Sequence, residues 1–274
     1  LGYLPRVSFN LDWMFRCAGS HGKQALTRAM GFGCNAAGIV ATRIIDSPRE
    51  RLIAILTNNF VPCNGRFPLL LMLGLLFVAS SGDKVSATFM ASLIATGTVM
   101  GVVLIGVAVT LIVSWALSRT VLKGEASAFT LELPPYRRPS ILRILYTSMI
   151  DRTLFVLWRA IVMAAPCGGV AWLLGNIHVG DASLLAHIAG FLNPVGQAIG
   201  LDGVILLAYI IAIPANEIVI PVILMGYMNT GMMTDVGSMD ELKTLLVVDN
   251  HWTLITAICL MLFSLLHNPC STTI

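Results

Sequence analysis

Glu217 is the only charged side chain between Gly203 and Thr234, a stretch of 32 residues, and Pro214 and Pro221 stand on either side of it. The segment reads Ile213-Pro214-Ala215-Asn216-Glu217-Ile218-Val219-Ile220-Pro221. A carboxylate in bilayer hydrocarbon costs at least ~2.5 kcal/mol, so such groups face a cavity, a partner or a transported ion. Each proline removes a backbone donor and interrupts a helical ladder, which frees carbonyls beside the carboxylate. Carboxylate, amide and free carbonyls in a broken apolar helix are the components of an intramembrane cation site. The plain alternative is a structural Glu hydrogen-bonded to a neighbouring helix.

Two of the six cysteines could contribute sulfur to the same chemistry. Cys34 lies in Gly31-Phe32-Gly33-Cys34-Asn35 and Cys63 in Val61-Pro62-Cys63-Asn64-Gly65, so each pairs helix breakers with an adjacent Asn. Thiolate sulfur favours the softer transition metals over magnesium or calcium. No two cysteines have CxxC spacing, which argues against a zinc knuckle or a thioredoxin-type motif. Cys167 and Cys259 sit in apolar runs and read as small hydrophobes. His187 is a candidate cavity residue; the other four histidines read as loop or helix-end residues.

These groups must be positioned by membrane helices. The chain is 57% hydrophobic and 11% charged, whereas soluble domains carry about 25% charged residues. Val85–Ser118 holds no Asp, Glu, Lys or Arg over 34 residues, more than the ~20 needed to span a bilayer. Phe67–Gly82, Ala160–Ile177, Gly203–Asn229 and Trp252–Leu266 are further apolar candidates, giving about five spans. Ser183–Gly200, interrupted by Gly190, Pro194 and Gly196, reads as re-entrant.

Charge sets the orientation. Residues 1–66 carry eight Lys/Arg against three acids, and 119–152 carry six against three. Residues 181–249 carry one Lys against seven acids. The positive-inside bias therefore places 119–152 and the Arg43–Arg51 turn in the cytoplasm. The Asp235–Asp249 loop fits the outer side, either attracting cations or simply solvated. Ser47-Pro48, with Glu50 in the first turn, predicts a helix start that runs to Phe60 before Pro62. Asn35 after its glycine break and Asn216 after its proline break correspond in the two halves, which is the pattern of a transport site at a repeat interface. Gly97-x-x-x-Gly101 has helix-dimer spacing and leaves open a non-transporting scaffold.

Gly31-Phe32-Gly33-Cys34-Asn35, Ala41-Thr42-Arg43, Arg49-Glu50-Arg51-Leu52 and Cys63-Asn64-Gly65-Arg66-Phe67-Pro68 resemble the first Gate segment of the ferrous iron transport protein B family. Gly2-Tyr3-Leu4-Pro5-Arg6-Val7 resembles the stretch before it, and Glu132-Leu133-Pro134-Pro135-Tyr136-Arg137 the family's cytoplasmic strap. Leu265-Leu266-His267-Asn268-Pro269-Cys270 resembles its final helix. One departure is Ala215-Asn216-Glu217, where the family often has Ala-Lys-Glu, so no role for that Lys carries over.

The resemblance implies an all-α, polytopic helical membrane protein with broken or re-entrant helices in two Gate-type halves. Its parts would be a first Gate segment with following helices (1–118), a cytoplasmic strap (119–152) and a second Gate segment with the final helix (153–274). It implies a multi-pass protein of the bacterial inner membrane that imports ferrous ion as its substrate; the residues beside the breaks make Cys34, Cys63, Glu217, Asn35 and Asn216 the expected ligands. GTP would act only through a GTP-binding domain of the same full-length protein. The present sequence has no G-x-x-x-x-G-K-[ST] motif, opens without a starting Met, and reads as a non-enzymatic fragment. A small cytoplasmic accessory protein and a homo-oligomer are further implied partners; nucleic acid is not. Because Gate segments also resemble nucleoside permeases, a nucleoside or other small-solute carrier is the alternative, with Asn35, Asn216 and Glu217 as hydrogen-bond partners.

Overall fold

The computed structural model describes residues 3–19, 22–78, 85–122, 140–179, 182–228 and 239–273. Most of the expected cytoplasmic strap, residues 123–139, and the first part of the acidic loop, residues 229–238, lie outside the described residues.

Helices dominate. The first half comprises α1 (Tyr3–Cys17), α2 (Lys23–Gly33), α3 (Asn35–Ala41), α4 (Pro48–Thr57), α5 (Phe67–Leu73) and the long α6 (Val85–Arg119). The second comprises α7 (Ile141–Thr147), α8 (Phe155–Asn176), α9 (Leu184–Ile199), α10 (Gly203–Ile211), α11 (Val219–Met228), α12 (Met239–Lys243) and α13 (Leu254–Leu266). One small hairpin, β1 (His178–Val179) with β2 (Ala182–Ser183), joins α8 to α9. Among the described residues three helical stretches are long and apolar enough to cross a membrane: Pro48–Phe77, Phe89–Arg119 and Val156–Asn176. Two further pairs, α9 with α10 and Glu241–Asp249 with α13, each bend by 106° at a short break; counted as one span apiece, they bring the total to five. The sharp turn after α9 is made by Gly200 at φ +79°, a left-handed conformation that glycine adopts without steric cost. Asp202 then caps α10 by accepting from Ile205 N at 2.9 Å.

Local signals explain most boundaries. Pro48 opens α4 in a first turn, where its missing N–H costs nothing, with Ser47 extended as the capping residue. The Ser47 side chain makes no capping bond, so the proline is the stronger start signal here. The first break falls at Cys34 itself, one residue beyond the glycines, with Cys34 extended at φ −152°.

The core is assembled around α10, which is apolar all round and packs against α9 and α11. Within it Ile205, Leu73 and Leu260 are fully enclosed. Small residues set one close crossing. A Cβ at Gly106 would come 2.7 Å from the Phe60 carbonyl and 3.0 Å from Leu265 Cδ1, so α6 meets both the 3-10 turn after α4 and the end of α13 there. Gly97 and Gly101 have open space in front of them and contribute nothing to packing among the described residues.

Arg66 joins the two halves. Only 2% exposed, it donates from Nη1 to the carbonyls of Asn59 (3.1 Å) and Leu265 (3.2 Å). From Nη2 it donates to the carbonyls of His267 (3.2 Å) and Asn268 (3.1 Å). Asn59 Nδ2 adds a bond to His267 O at 2.8 Å. The last carbonyls of α13, which have no partner inside the helix, are thereby satisfied by a cation suited to a helix C-terminus.

We expect Arg66→Met to lower stability by ~3 kcal/mol or more, because it strands several buried carbonyls at once. Thermal unfolding of detergent-purified protein should fall by roughly 6–12 °C. Arg66→Lys should recover only part of that loss, since an ammonium lacks the planar fork. An unchanged midpoint for Arg66→Met would remove the two-half linkage.

Candidate metal site

The second break is built by Pro214. Without an N–H, it cannot continue α10, and the chain ends the helix at Ile211 before entering a turn. Ala215 is extended (φ −152°, ψ 117°), Asn216–Ile218 form one 3-10 turn, and α11 starts at Val219. Pro221 does not interrupt a ladder as the sequence reading expected. It sits in the first turn of α11, where its missing donor has no intrahelical partner to lose. The carbonyl of Ile213 is taken up by Ser271 N at 2.8 Å, so the segment after α13 seals the break.

The first-half segment that meets this turn is the one around Cys63. Val61-Pro62-Cys63-Asn64 and Ile213-Pro214-Ala215-Asn216 share one pattern: aliphatic residue, proline, small residue, asparagine. They also share one conformation. Cys63 is extended (ψ 169°), Asn64–Arg66 form a 3-10 turn, and α5 follows with Pro68 in its first turn. The two 3-10 turns pack on each other. The counterpart of Asn216 in the first half is therefore Asn64, not Asn35, because both follow a proline by two residues.

At the junction Asn216 Nδ2 lies 4.0 Å from Cys63 Sγ. Cys63 is buried, and all six cysteines are free thiols. The Glu217 side chain lies across Gly65: a Cβ at that position would be 3.0 Å from Glu217 Cγ and 3.4 Å from Oε1. Glycine is thus what lets the carboxylate reach the Cys63–Arg66 turn. Glu217 itself is exposed on the protein surface and has no hydrogen bond or ion pair among the described residues. It presents a free anion beside a buried thiol and an amide.

Cys34 and Asn35 belong elsewhere. Asn35 is buried against Asn58, whose Nδ2 donates to Asn35 O at 3.2 Å. Both amide atoms of Asn35, and Asn58 Oδ1, are buried without partners. Gly31 and Gly38 make the space, since a Cβ at either would come 2.8 Å from an atom of the Asn58 amide. Behind this pair, Arg28 Nη2 donates to Gln24 Oε1 (3.1 Å), Thr57 Oγ1 (3.3 Å) and Ser114 Oγ (3.1 Å), with the guanidinium over the Phe15 ring. Burial pushes Arg28 down to about 9, which leaves it a cation at neutral pH. Among the described residues no three His, Cys, Asp or Glu side chains converge as a metal cluster. Cys34 therefore does not complete a single cage with Cys63 and Glu217. Asn58 is the buried polar residue that sequence reasoning missed; it opens the 3-10 turn after α4, where the sequence predicts an uninterrupted helix to Phe60.

Of the remaining cysteines, Cys259 packs beside the core against Gly200, as expected of a small hydrophobe. Cys167 is half-buried. His187 Nδ1 lies 3.2 Å from Ser183 O within its own helix turn.

The family profile for the ferrous iron transport protein B C terminus matches residues 99–151, and the Gate profile, described as nucleoside recognition, matches residues 1–77 and 140–274. The chain belongs to the ferrous iron transport protein B family. It is 32% identical over 210 residues to the Fe(2+) transporter FeoB of Legionella pneumophila (strain Lens), covering 73% of this chain and 26% of that protein. It is 28% identical over 281 residues to the Fe(2+) transporter FeoB of Staphylococcus aureus (strain COL), covering 100% of this chain and 39% of that one. The chain thus spans between about a quarter and two-fifths of the length of these curated relatives. No solved structure matches it. Family and fold together make this a multi-pass helical membrane protein of the Gate type.

Gly38→Ala should destabilise the first half by ~1–3 kcal/mol, because the new methyl would meet the Thr27 carbonyl at 2.9 Å as well as the Asn58 amide. Gly33→Ala, with open space before it, should be neutral or slightly stabilising. Unfolding midpoints of the two variants, measured side by side, check the assignment. Equal effects would mean that the Asn35–Asn58 pair is not glycine-limited.

Proposed function

We propose that this chain is the transmembrane permease part of a ferrous iron importer of the bacterial inner membrane. The single observation that carries the reading is the meeting of the two Pro-x-Asn turns, which gathers Cys63, Asn216 and Glu217 at one place. Ferrous ion is the substrate. In this reading it loses part of its water to the Glu217 carboxylate, then to the Cys63 sulfur and the Asn216 amide oxygen, while Asn64 and backbone carbonyls of the turns complete its shell. Sulfur, carboxylate and amide donors suit a borderline divalent ion better than magnesium or calcium. Irving–Williams affinity favours zinc over ferrous iron, so discrimination falls to geometry and supply.

Cys34 and Asn35 serve in this reading as a separate station in the first half, reached after the ion leaves the junction. An open, incomplete donor set is appropriate to transport, since an ion must bind firmly enough to enter and weakly enough to leave. The positive-inside bias puts residues 119–152 on the cytoplasmic side, where a GTP-binding domain of the full-length protein would act on the permease. No step here uses GTP directly.

A second reading takes its support from the unpartnered amides of Asn35 and Asn58. Such a pair could hydrogen-bond a nucleobase, with the cysteines as bystanders. Competition separates the two: a nucleoside that displaces iron from purified protein, or is itself taken up, favours this second reading.

Glu217→Gln should abolish iron uptake in cells that depend on this transporter, at equal expression and with normal insertion. It retains shape but loses the anion. Glu217→Asp should be intermediate, and Cys259→Ala should leave uptake nearly intact. Wild-type uptake by Glu217→Gln sinks the cation-site reading. Cys34→Ser serves as the control on the station order: it should impair uptake less than Cys63→Ser does.

A further inference from the structure

Arg159 stands one turn inside α8 and is the last charge before the uncharged run that ends at Gly180. Among the described residues it makes no hydrogen bond or ion pair, and its side chain is exposed. It lines a cavity of about 480 Å3 with Trp158, Val162, Met163 and Ser271, between α8 and the segment that follows α13. Ser271 adds a hydroxyl that is buried without a partner. A second cavity of about 410 Å3 shares the Trp158 wall and is otherwise bounded by Ile150, Leu154, Leu157 and Ile161. One compartment therefore offers an unpaired cation and a free hydroxyl, and its neighbour offers only apolar surface.

We propose that these two cavities, adjacent at Trp158, bind one anionic glycerophospholipid of the cytoplasmic leaflet. Its phosphate would pair with the Arg159 guanidinium and the Ser271 hydroxyl, and an acyl chain would run past Trp158 along the apolar cavity. The positive-inside orientation puts the start of α8 at the cytoplasmic surface, where anionic lipids concentrate and basic pockets between helices take their head groups. Arginine presents two parallel donors to a phosphate, and a tryptophan beside it suits the headgroup boundary. Very little of α8 is buried by the rest of the protein, so lipid has free access along its length. Occupancy would also reach the ion site. The backbone N–H of Ser271 holds the Ile213 carbonyl at the second break, three residues before Asn216. A lipid drawn to Ser271 would therefore hold the residue that caps that break. The binding part of this proposal is independent of which solute is transported.

The test is lipid retention by the purified protein in the absence of iron. Native mass spectrometry in nanodiscs of mixed phosphatidylglycerol and phosphatidylcholine should show phosphatidylglycerol held in stoichiometric amount. Arg159→Gln should weaken retention about fivefold, the contribution of one basic residue at an anionic surface, while Arg159→Lys retains most of it. Equal retention by Arg159→Gln, or no preference for phosphatidylglycerol over phosphatidylcholine, overturns the proposal. If Arg159→Gln fails to fold, the wild-type thermal midpoint decides: it should rise with the phosphatidylglycerol fraction, and a flat response counts against the site. Stabilisation by inorganic phosphate equal to that by the lipid would identify a soluble anion site instead and also overturn it. A lost lipid with normal iron uptake would refute only the link to the second break, whereas lost iron uptake with normal lipid retention would leave this proposal standing.

Discussion

The fold turns on a single guanidinium. Arg66 is nearly enclosed, yet the groups that accept from it are all neutral carbonyls from two segments about 200 residues apart in the chain. A lone buried charge costs several kcal/mol unless its donors are filled. Here carbonyls at and just after the end of α13, with that of Asn59, fill them, and their own need for donors is met in the same stroke. Lysine could not reproduce this, because its three donors radiate from a point rather than lying in a plane. The arrangement draws the segment after Asn59 against the end of α13, and that in turn brings the two 3-10 turns together.

Around this anchor the two breaks behave as one unit. Proline ends each preceding helix, an extended residue redirects the chain, and a single tight turn starts the next helix. Such irregular backbone survives in a membrane only where other groups satisfy it. Ser271 does so for Ile213, and Arg66 does so for Asn59. Gly65 then leaves the room in which Glu217 lies against the first-half turn. In the proposed reading, polar function and structural repair share residues, and the segment after α13, unremarkable by composition, touches both.

The first half carries a second polar centre that does not merge with this one. Arg28, Gln24, Thr57 and Ser114 link α2, α4 and α6, and Asn58 with Asn35 continues the buried chain toward the Cys34 break. In the proposed reading the chain has two separated groups of donors instead of one closed cage. Separate weak stations suit movement of an ion better than a high-affinity pocket, which would hold it.

Much of the architecture was legible in the residues themselves. Long apolar runs marked α6 and α8, Pro48 marked the start of α4, and Pro214 marked the end of α10. Each is a local consequence of hydrophobicity or of a missing backbone donor, so sequence alone determined it. The same local logic singled out Cys63, Asn216 and Glu217 as polar groups beside breaks. It could not say which break faces which. Cys34 and Cys63 looked equivalent in sequence, and tertiary structure separated them because Arg66 pulls the Cys63 turn, not the Cys34 turn, to the second half. Nor did sequence reveal Asn58, whose importance arises only where Gly31 and Gly38 from the preceding helices leave room for it. Helix boundaries depend on neighbouring residues, whereas the pairing of two turns depends on donors and acceptors far apart in the chain, and only the folded packing brings those into contact.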